Sequence, residues 1–313
     1  MADDPVPKAI TDNTPLDDVL HVVAVLSNPC EYKRRWRLAL EFVARMEATP
    51  NVILYVAELA YGHQTYHVTA ADNARHLQLR TDTPLWHKES CVMTIVRTLL
   101  PRTWKAFAWI DADVQFVTPG NWALDALRIL NGTADVIQLF SSIVDLDSDG
   151  KPLSTFKSAA MLRLQRNTNI RDVWHPGYAW AMRRSFFDTS GGLFEHAILG
   201  SGDNLMFTAW TGFNNPLDVA SSPGYLRSYE QYAGLCKGAR VGYIPYVLCH
   251  HYHGSKSDRG YGHRWKLLVK YGYDPEIHLA RDASGLLVAS AAFPQALAND
   301  IMRYFWSRNE DGP

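Results

Sequence analysis

Residues 107–116 read FAWIDADVQF, a short apolar run that ends in two carboxylates separated by one residue. An apolar run of this length is typical of a strand that is buried on both faces. Because side chains alternate along an extended chain, Asp111 and Asp113 are expected to point the same way. Two such oxygen ligands favour a hard divalent cation, Mn²⁺ or Mg²⁺, whose other positions go to water and phosphate. The alternative is a solvated strand end that carries two acids by chance, since the pattern is short.

The residues before this run predict a β-α-β unit. A strand over 21–26 is closed by Pro29, a helix follows over 31–46, and a second strand runs over 51–59. Proline restricts the residue before it to an extended conformation and ends the first strand. This order of elements is that of one half of a doubly wound nucleotide-binding sheet.

Three side chains in this half lie where they could contact a nucleotide. Asn28 and Glu58 fall near the carboxyl ends of the two strands, and Lys88 falls near the start of a helix predicted over 83–100. Open α/β sheets bind ligands at strand ends, and a Lys near a helix start can reach a phosphate. A turn Asn, a surface Glu and an exposed helix Lys are the structural alternatives, and they stay open.

The span 175–204 is rich in glycine and ends in an acid. Its glycines imply tight turns and close backbone approach. Asp203 precedes an apolar helical pattern, so it is expected at a helix start. It could cap that helix, act as a catalytic acid or do both.

Three histidines lie close together in the stretch 249–254, which reads CHHYHG. A neutral imidazole is a metal ligand. We predict that His253 is the ligand, with His251 as the second choice because it lies on the same side of an extended chain. Arg259 and Arg264 follow and could close on a diphosphate through bidentate contacts, with exposed helix arginines as the equal alternative.

The combined order of these motifs resembles that of metal-dependent, nucleotide-sugar glycosyltransferases with the GT-A fold. The D-x-D resembles the short metal-binding motif of these enzymes. The spans 177–187, Gly191-Gly192-Leu193-Phe194 and Gly202-Asp203-Asn204 together resemble their acceptor-side half, in which the polypeptide N-acetylgalactosaminyl- and galactosyltransferase group carries a similar Gly-rich span. The order also resembles that of uncharacterised glycosyltransferases of bacteria, phages and large viruses. The resemblance implies an α/β fold of GT-A type, a Rossmann-like mixed sheet flanked by helices, in a single domain with a C-terminal helical appendage.

The resemblance also implies roles for individual residues. Asp111, Asp113 and His253 would hold Mn²⁺ or Mg²⁺ on the diphosphate, and Asp203 would contact or deprotonate the acceptor hydroxyl. The donor contacts would be Asn28, Glu58, Lys88, Arg259 and Arg264, and the acceptor contacts would be Gly177, Trp180, Gly192 and Asn204. The family carries Gly-Glu-Asn or Gly-Glu-Asp where this chain has Gly-Asp-Asn, so base and acceptor-binding roles both stay open for Asp203.

The domain boundaries follow from the same reading. We predict a flexible leader over 1–19 and a glycosyltransferase domain over 20–275. Within that domain, 20–118 would be the nucleotide-sugar half and 119–275 the acceptor half. A C-terminal helical tail would cover 276–313.

The composition fits a soluble globular protein. The chain has 313 residues, is 47% hydrophobic and carries a formal net charge of -1, so no general attraction to nucleic acid or anionic membrane is expected. No apolar run reaches membrane-spanning length, and the first residues are polar, unlike a signal peptide. We therefore expect a cytoplasmic protein with no membrane partner.

The predicted function is transfer of a sugar from a nucleoside diphosphate sugar, with a UDP-sugar favoured, to an acceptor hydroxyl, with inversion favoured. The acceptor stays open between a glycan, a protein side chain and a modified nucleic-acid base. A phosphatase of the haloacid dehalogenase type also places D-x-D after an apolar strand, but it carries Thr or Val where this chain has Gln115. A nucleotide-sugar-binding module without turnover is the third reading.

Overall fold

The computed structural model of this chain describes residues 4–165, 174–213, 222–255, 257–260 and 264–312. The strands are β1 (Leu20–Ser27), β2 (Val52–Tyr61), β3 (His76–Thr81), β4 (Ala106–Ile110), β5 (Val114–Phe116), β6 (Val136–Gln138), β7 (Ser142–Leu146), β8 (Pro152–Ser158), β9 (Trp174–His175), β10 (Ala179–Arg183), β11 (Val241–Tyr243), β12 (Val247–His250), β13 (Leu279–Arg281) and β14 (Leu287–Ala289). The helices are α1 (Pro5–Asp12), α2 (Lys33–Glu47), α3 (Lys88–Thr98), α4 (Trp122–Leu130), α5 (Ala159–Leu164), α6 (Arg184–Ser190), α7 (Gly202–Thr211), α8 (Pro223–Leu235), α9 (Trp265–Lys270), α10 (Pro275–His278) and α11 (Gln295–Ser307), and a 3₁₀ turn spans Ser257–Arg259.

A seven-stranded mixed sheet forms the centre of the protein, in the order β11-β6-β10-β4-β1-β2-β3. Its neighbouring strands are parallel, except that β10 runs antiparallel to both β4 and β6. β4 reads AFAWI and is buried throughout, and β1 reads LHVVAVLS and is buried over most of its length. Such uninterrupted apolar strands are stable only where both faces of the sheet are covered, and α2, α3 and α4 pack against it.

A second sheet of five strands, in the order β5-β12-β7-β8-β9, brings three distant parts of the chain together. β12 pairs with β5 on one side, where His250 lies opposite Val114. On its other side β12 pairs with β7, where His250 lies opposite Asp145. The turn after β4, the histidine-rich segment and β7 therefore meet at one edge of the central sheet.

The predicted architecture is confirmed: the chain is an α/β protein with a mixed central sheet and helices packed against it. The predicted β-α-β start is present as β1-α2-β2, and the apolar run before the D-x-D is β4. Within the described ranges, no helix has both the length and the apolar character needed to span a bilayer.

Where a flexible leader was expected, residues 5–12 form helix α1. Asp4 caps this helix by accepting the N–H of Val6 at 3.0 Å. Val6 and Ala9, three residues apart on one face, are buried, and α1 packs against α4. A helix this short depends on tertiary packing rather than on its own propensity, so a local reading of the sequence does not find it.

Two other local expectations differ from the structure. α3 begins at Lys88 rather than near residue 83, and His87 precedes it without a side-chain cap. The sequence over 145–151 is acidic and rich in turn residues, which predicts a solvated loop, but Asp145 lies within β7 and is only 2% exposed. The acidic turn itself starts later, at Asp147, whose carboxylate accepts the backbone N–H of Lys151.

The C-terminal part of the chain contains more than the predicted helix. β13 and β14 form a hairpin before α11. Within α11, Tyr304 and Phe305 are buried, whereas Trp306 is 60% exposed. After α11 the chain turns back, and the carboxylate of Asp311 accepts the first backbone N–H groups of α2 at 2.9 Å each. This cap fixes the end of the chain to the start of α2.

Candidate active site

A cavity of about 760 Å³ opens at the carboxyl ends of β1 and β4. Its walls come from the loop after β1, the turn after β4, the start of α3, the Gly-rich span, the segment after β12 and the residues after α11. Open α/β sheets bind ligands at this edge, and the volume is typical of a small-molecule site.

Three side chains in this cavity form a cluster that could hold a metal ion: Asp113, His250 and His253. His253 Nε2 lies 3.0 Å from Asp113 Oδ2 and 3.1 Å from His250 Nε2. His250 Nε2 lies 3.9 Å from Asp113 Oδ1. Both histidines are almost fully buried, so these donors face one another rather than water.

The two histidines share one orientation. Each turns Nε2 toward the cluster and Nδ1 toward a buried carboxylate. His250 Nδ1 lies 3.0 Å from Asp145 Oδ1, and His253 Nδ1 lies 3.4 Å from Glu310 Oε2. For His250, the hydrogen bond between Nδ1 and Asp145 favours the tautomer that leaves the Nε2 lone pair free for a metal. Burial lowers the pKa of His250, although the hydrogen bond that its Nδ1 donates to Asp145 opposes this, and a neutral imidazole is what ligation requires.

The chemistry of this donor set fits a divalent cation. Two Nε2 lone pairs and a carboxylate converge, and Asp113 Oδ1 is buried without a hydrogen-bond partner among the described residues. Ligands at right angles on bonds of about 2.1 Å stand about 3 Å apart, close to the two shorter separations in the cluster. His253 Nε2 also lies 3.1 Å from Arg259 Nη2, so a cation already faces this lone pair. Imidazole ligands favour transition metals over Mg²⁺, and the carboxylate is a ligand that Mn²⁺ and Mg²⁺ both accept.

Asp111 does not join this cluster. β4 ends at Ile110, and residues 111–113 form a turn, so the alternation of an extended strand does not continue to Asp113. Asp111 Oδ1 instead lies 2.8 Å from Lys88 Nζ. Burial raises the pKa of the Asp111 carboxyl to about 6, with Lys88 opposing the rise.

Lys88 links Asp111 to Asp203. Its Nζ lies 2.8 Å from Asp203 Oδ2 as well as from Asp111. Burial alone would lower the pKa of Lys88, but the charges of Asp111 and Asp203 outweigh it and raise that pKa well above its usual value. Lys88 is therefore a fixed cation between two carboxylates in the cavity wall, and not an exposed helix lysine.

Asp203 lies in the first turn of α7 and does not cap it. The N-terminal cap position belongs to Ser201, whose φ is +67°, and Asp203 follows two residues later. Its Oδ1 lies 3.5 Å from Trp109 Nε1, while Lys88 holds Oδ2. A carboxylate in a first helical turn interacts favourably with the helix dipole.

Gly202 is required by a buried acid. A Cβ at this position would lie 2.3 Å from Glu89 Oε1, so only glycine leaves room for the Glu89 side chain. Burial raises the pKa of Glu89 to about 8, with Lys88 opposing the rise and Asp203 adding to it. The first turn of α7, which carries Asp203, therefore packs on the Glu89 carboxyl, which is neutral at pH 7.

Cationic side chains dominate the charge of the cavity wall. The charged lining residues are Arg35, Lys88, Arg259, Arg264, Lys266 and Arg308 against Asp111, Asp113, Asp203 and Glu310. Arg35 Nη2 and Arg308 Nε both bind Glu310 Oε1, at 2.7 and 2.6 Å. Arg264 donates to the hydroxyls of Ser201 and Tyr304. The excess of positive charge suits an anionic ligand, and the metal would add to it.

Several predicted residues line the cavity, namely Asn28, Lys88, Gly177, Asn204, Arg259 and Arg264. Asn28 also supports the entry into α2, since its side chain bonds the backbone N–H and carbonyl of Tyr32 at 3.0 and 2.9 Å. Lys88, expected to contact a phosphate, binds the two carboxylates described above.

Three predicted contacts lie outside the cavity wall. Glu58 accepts the backbone N–H groups of residues 67–69 at 2.7 to 3.0 Å and holds the loop before β3. Trp180 is fully buried in β10, where its ring packs on Trp210. Gly192 lies against Met93, where a Cβ would be 2.2 Å from its methyl carbon. Each of these positions has a structural role that accounts for the residue.

Sequence reasoning missed His250 as the partner of His253. It assigned one histidine to the metal, His253, with His251 as the second choice on the assumption of an extended chain. In the structure β12 ends at His250, and the Nε2 atoms of His250 and His253 lie 3.1 Å apart. It also missed Asp145, Arg35 and Glu310. The run of basic residues at the start of α2, just after β1, was a signal for Arg35. No local signal marked Asp145 or Glu310, because their partners are far away in sequence.

The similarity of this chain to known proteins is distant. No protein-family model and no curated protein match the sequence. Two similar solved structures are of the catalytic domain of Drosophila β1,4-galactosyltransferase 7, one in complex with xylobiose and one a mutant in complex with manganese, UDP-Gal and xylobiose. Each has 11% sequence identity to this chain and a TM-score of 0.31. The matched region spans 64% of this chain and 66% of the galactosyltransferase chain. The activity of this chain has to be argued from its own side chains.

Proposed function

We propose that this protein is a divalent-metal-dependent glycosyltransferase that moves a sugar from a nucleoside diphosphate sugar, with a UDP-sugar favoured, to an acceptor hydroxyl. The observation that carries the proposal is the combination, in one cavity, of a two-histidine, one-carboxylate cluster, an excess of cationic side chains and a separate carboxylate, Asp203. A metal-bound diphosphate needs the first two features, and activation of a hydroxyl needs the third.

The donor diphosphate is assigned to the side of the cavity that carries the cluster. Asp113, His250 and His253 would hold Mn²⁺ or Mg²⁺, which when bound compensates the charge of the leaving diphosphate. Arg259 and Arg264 line the same cavity, and guanidinium groups pair with phosphate oxygens through two parallel hydrogen bonds.

Asp203 is assigned to the acceptor. It takes the proton of the acceptor hydroxyl while that oxygen bonds to the anomeric carbon, and the bond from this carbon to the diphosphate oxygen breaks. A single displacement of this kind inverts the anomeric configuration. Lys88 Nζ lies 2.8 Å from Asp203 Oδ2 and holds this carboxylate in position in the cavity.

A thermal-shift panel with UDP, GDP, CMP and dTDP, each with and without Mn²⁺, tests the proposal. We expect stabilisation by one nucleotide only when Mn²⁺ is present, because a ligand that binds the native state raises the melting temperature. A concentration 100-fold above Kd stabilises by about 2.7 kcal/mol. Asp113→Asn should remove the combined shift and leave the unliganded protein folded. No shift with any pair would contradict the proposal.

Analysis of the products separates the other readings. A glycosyltransferase releases one nucleoside diphosphate for each glycosylated acceptor. Release of inorganic phosphate from a phosphomonoester would indicate the phosphatase. Metal-dependent nucleotide binding without any product would indicate the binding module.

A further inference from the structure

Asp145 is a buried carboxylate that the proposed reaction does not use. It is 2% exposed, and it lies on β7 behind the metal cluster. Its Oδ1 lies 3.0 Å from His250 Nδ1 and accepts the hydroxyl of Tyr178 at 3.2 Å. Its Oδ2 accepts the hydroxyl of Ser154 at 3.1 Å. A carboxylate this deep is stable because these three donors replace its hydration.

The contact with Asp145 decides which nitrogen of His250 is available. An ionised carboxylate only accepts hydrogen bonds, so Nδ1 of a neutral His250 carries the proton and Nε2 carries the lone pair. That lone pair points into the cluster, 3.1 Å from His253 Nε2. Without Asp145 the other tautomer becomes accessible, in which Nε2 is protonated and cannot bind a metal.

Tyr178 connects this carboxylate to the turn that carries Asp113. It has a φ of +79°, which a side chain of this size adopts only where its surroundings enforce it. Its carbonyl accepts the backbone N–H of Asp111 at 2.8 Å, and its ring stacks on His175 at 4.0 Å between centroids. One strained residue therefore contacts both the D-x-D turn and the carboxylate behind His250.

We propose that Asp145 is a positioning residue for the metal ligand His250, and that Tyr178 holds Asp145 in place. The inference rests on the proposed metal site and adds residues that touch neither metal nor substrate. Carboxylates that orient a metal-bound histidine typically contribute about 10- to 100-fold to metal affinity. Asp145→Asn should weaken Mn²⁺ binding by this factor. Tyr178→Phe, which removes one donor to the Asp145 carboxylate and keeps those of His250 and Ser154, should weaken it less.

The test is a titration of the full-length chain with Mn²⁺, without nucleotide, in which electron paramagnetic resonance measures the free ion. Asp149→Asn is the matched control, because Asp149 is exposed in the turn of the same hairpin. We expect wild-type affinity for this control and the weakened affinity for Asp145→Asn. Wild-type Mn²⁺ affinity in a folded Asp145→Asn variant would overturn this inference and leave the proposed metal site standing. Absence of Mn²⁺ binding in the wild type would overturn the proposed metal site as well.

The tautomer of His250 gives a second readout that needs no change at Asp145. Long-range ¹H–¹⁵N NMR spectra of wild-type protein that carries ¹⁵N-labelled histidine, recorded without metal, distinguish a proton on Nδ1 from one on Nε2. The His250→Gln variant assigns the signal. We expect the proton on Nδ1, and a proton on Nε2 would overturn the inference even if Asp145→Asn failed to fold.

Discussion

Replacing Glu89 by Gln should remove a large loss of stability that this protein undergoes between pH 4.5 and pH 8. Glu89 follows Lys88 on α3 and is 2% exposed, and its Oε1 has no hydrogen-bond partner among the described residues. Burial raises the pKa of this carboxyl to about 8; Lys88 opposes the rise, and Asp203 and Asp111 add to it. In the folded protein the Glu89 carboxyl therefore stays protonated at pH values at which it is ionised in the unfolded chain.

The size of the effect follows from the raised pKa. Below pH 4.5 both states hold the proton, and the stability associated with it is fully present. Between pH 4.5 and 8 the native state binds one proton more than the unfolded state, so the free energy of unfolding falls by about 1.4 kcal/mol for each pH unit. Over this interval the loss is about 5 kcal/mol, and it is complete once the pH passes 8. Gln cannot ionise, so the Glu89→Gln variant lacks this loss.

Urea denaturation at pH 5, 6.5 and 8.5 measures the prediction. The difference in unfolding free energy between Glu89→Gln and wild type should grow in favour of the variant by several kcal/mol from the lowest to the highest pH. Glu230→Gln, on the exposed face of α8, is the matched control and should follow the wild-type profile. Parallel pH profiles for Glu89→Gln and wild type would refute the reasoning, because they would mean that Glu89 does not bind the extra proton in the folded state.

Three other predictions concern the proposed site. His253→Gln should abolish Mn²⁺ binding in isothermal titration calorimetry. His251→Gln should bind Mn²⁺ as the wild type does, because His251 lies outside the cluster. Equal results for the two variants would contradict the assignment of the cluster as the metal site. Asp203→Asn should lower transfer by about 100-fold or more and keep the Mn²⁺-dependent nucleotide shift, and loss of both would make Asp203 structural. Glu310→Gln should cost about 3 kcal/mol or more, since it leaves two arginines at a buried site without their carboxylate, and an unchanged denaturation midpoint would contradict this.

The central sheet was predictable because its signals are local. An apolar strand that is buried on both faces must be apolar at each position, and β4 shows this within five residues. The β-α-β start was likewise readable from the alternation of apolar runs and an amphipathic helix. α1 and the β13–β14 hairpin were not readable, because short elements are stabilised by the surfaces on which they pack.

The D-x-D shows where a local rule fails. Alternation along a strand places Asp111 and Asp113 on the same side, but the chain turns immediately after Ile110. As a result Asp113 faces two histidines, whereas Asp111 binds Lys88. The same assumption of an extended chain made His251 the second choice after His253, whereas the structure brings His250 to His253. In both cases the position of a strand end, which pairing with other strands decides, determined which side chains meet.

The sequence by itself determined the kinds of chemistry in this protein: carboxylates after a buried strand, a histidine cluster, and an acid at the start of a helix. It also determined the elements that carry them, since apolar periodicity acts over a few residues. Only the tertiary structure decided which of these groups share a site. Asp145 reaches His250 across 105 residues through the register of β7 and β12, and Glu310 reaches Arg35 across 275 residues through the return of the chain after α11. Contacts at such separations depend on strand register and on packing between elements, which no local pattern encodes.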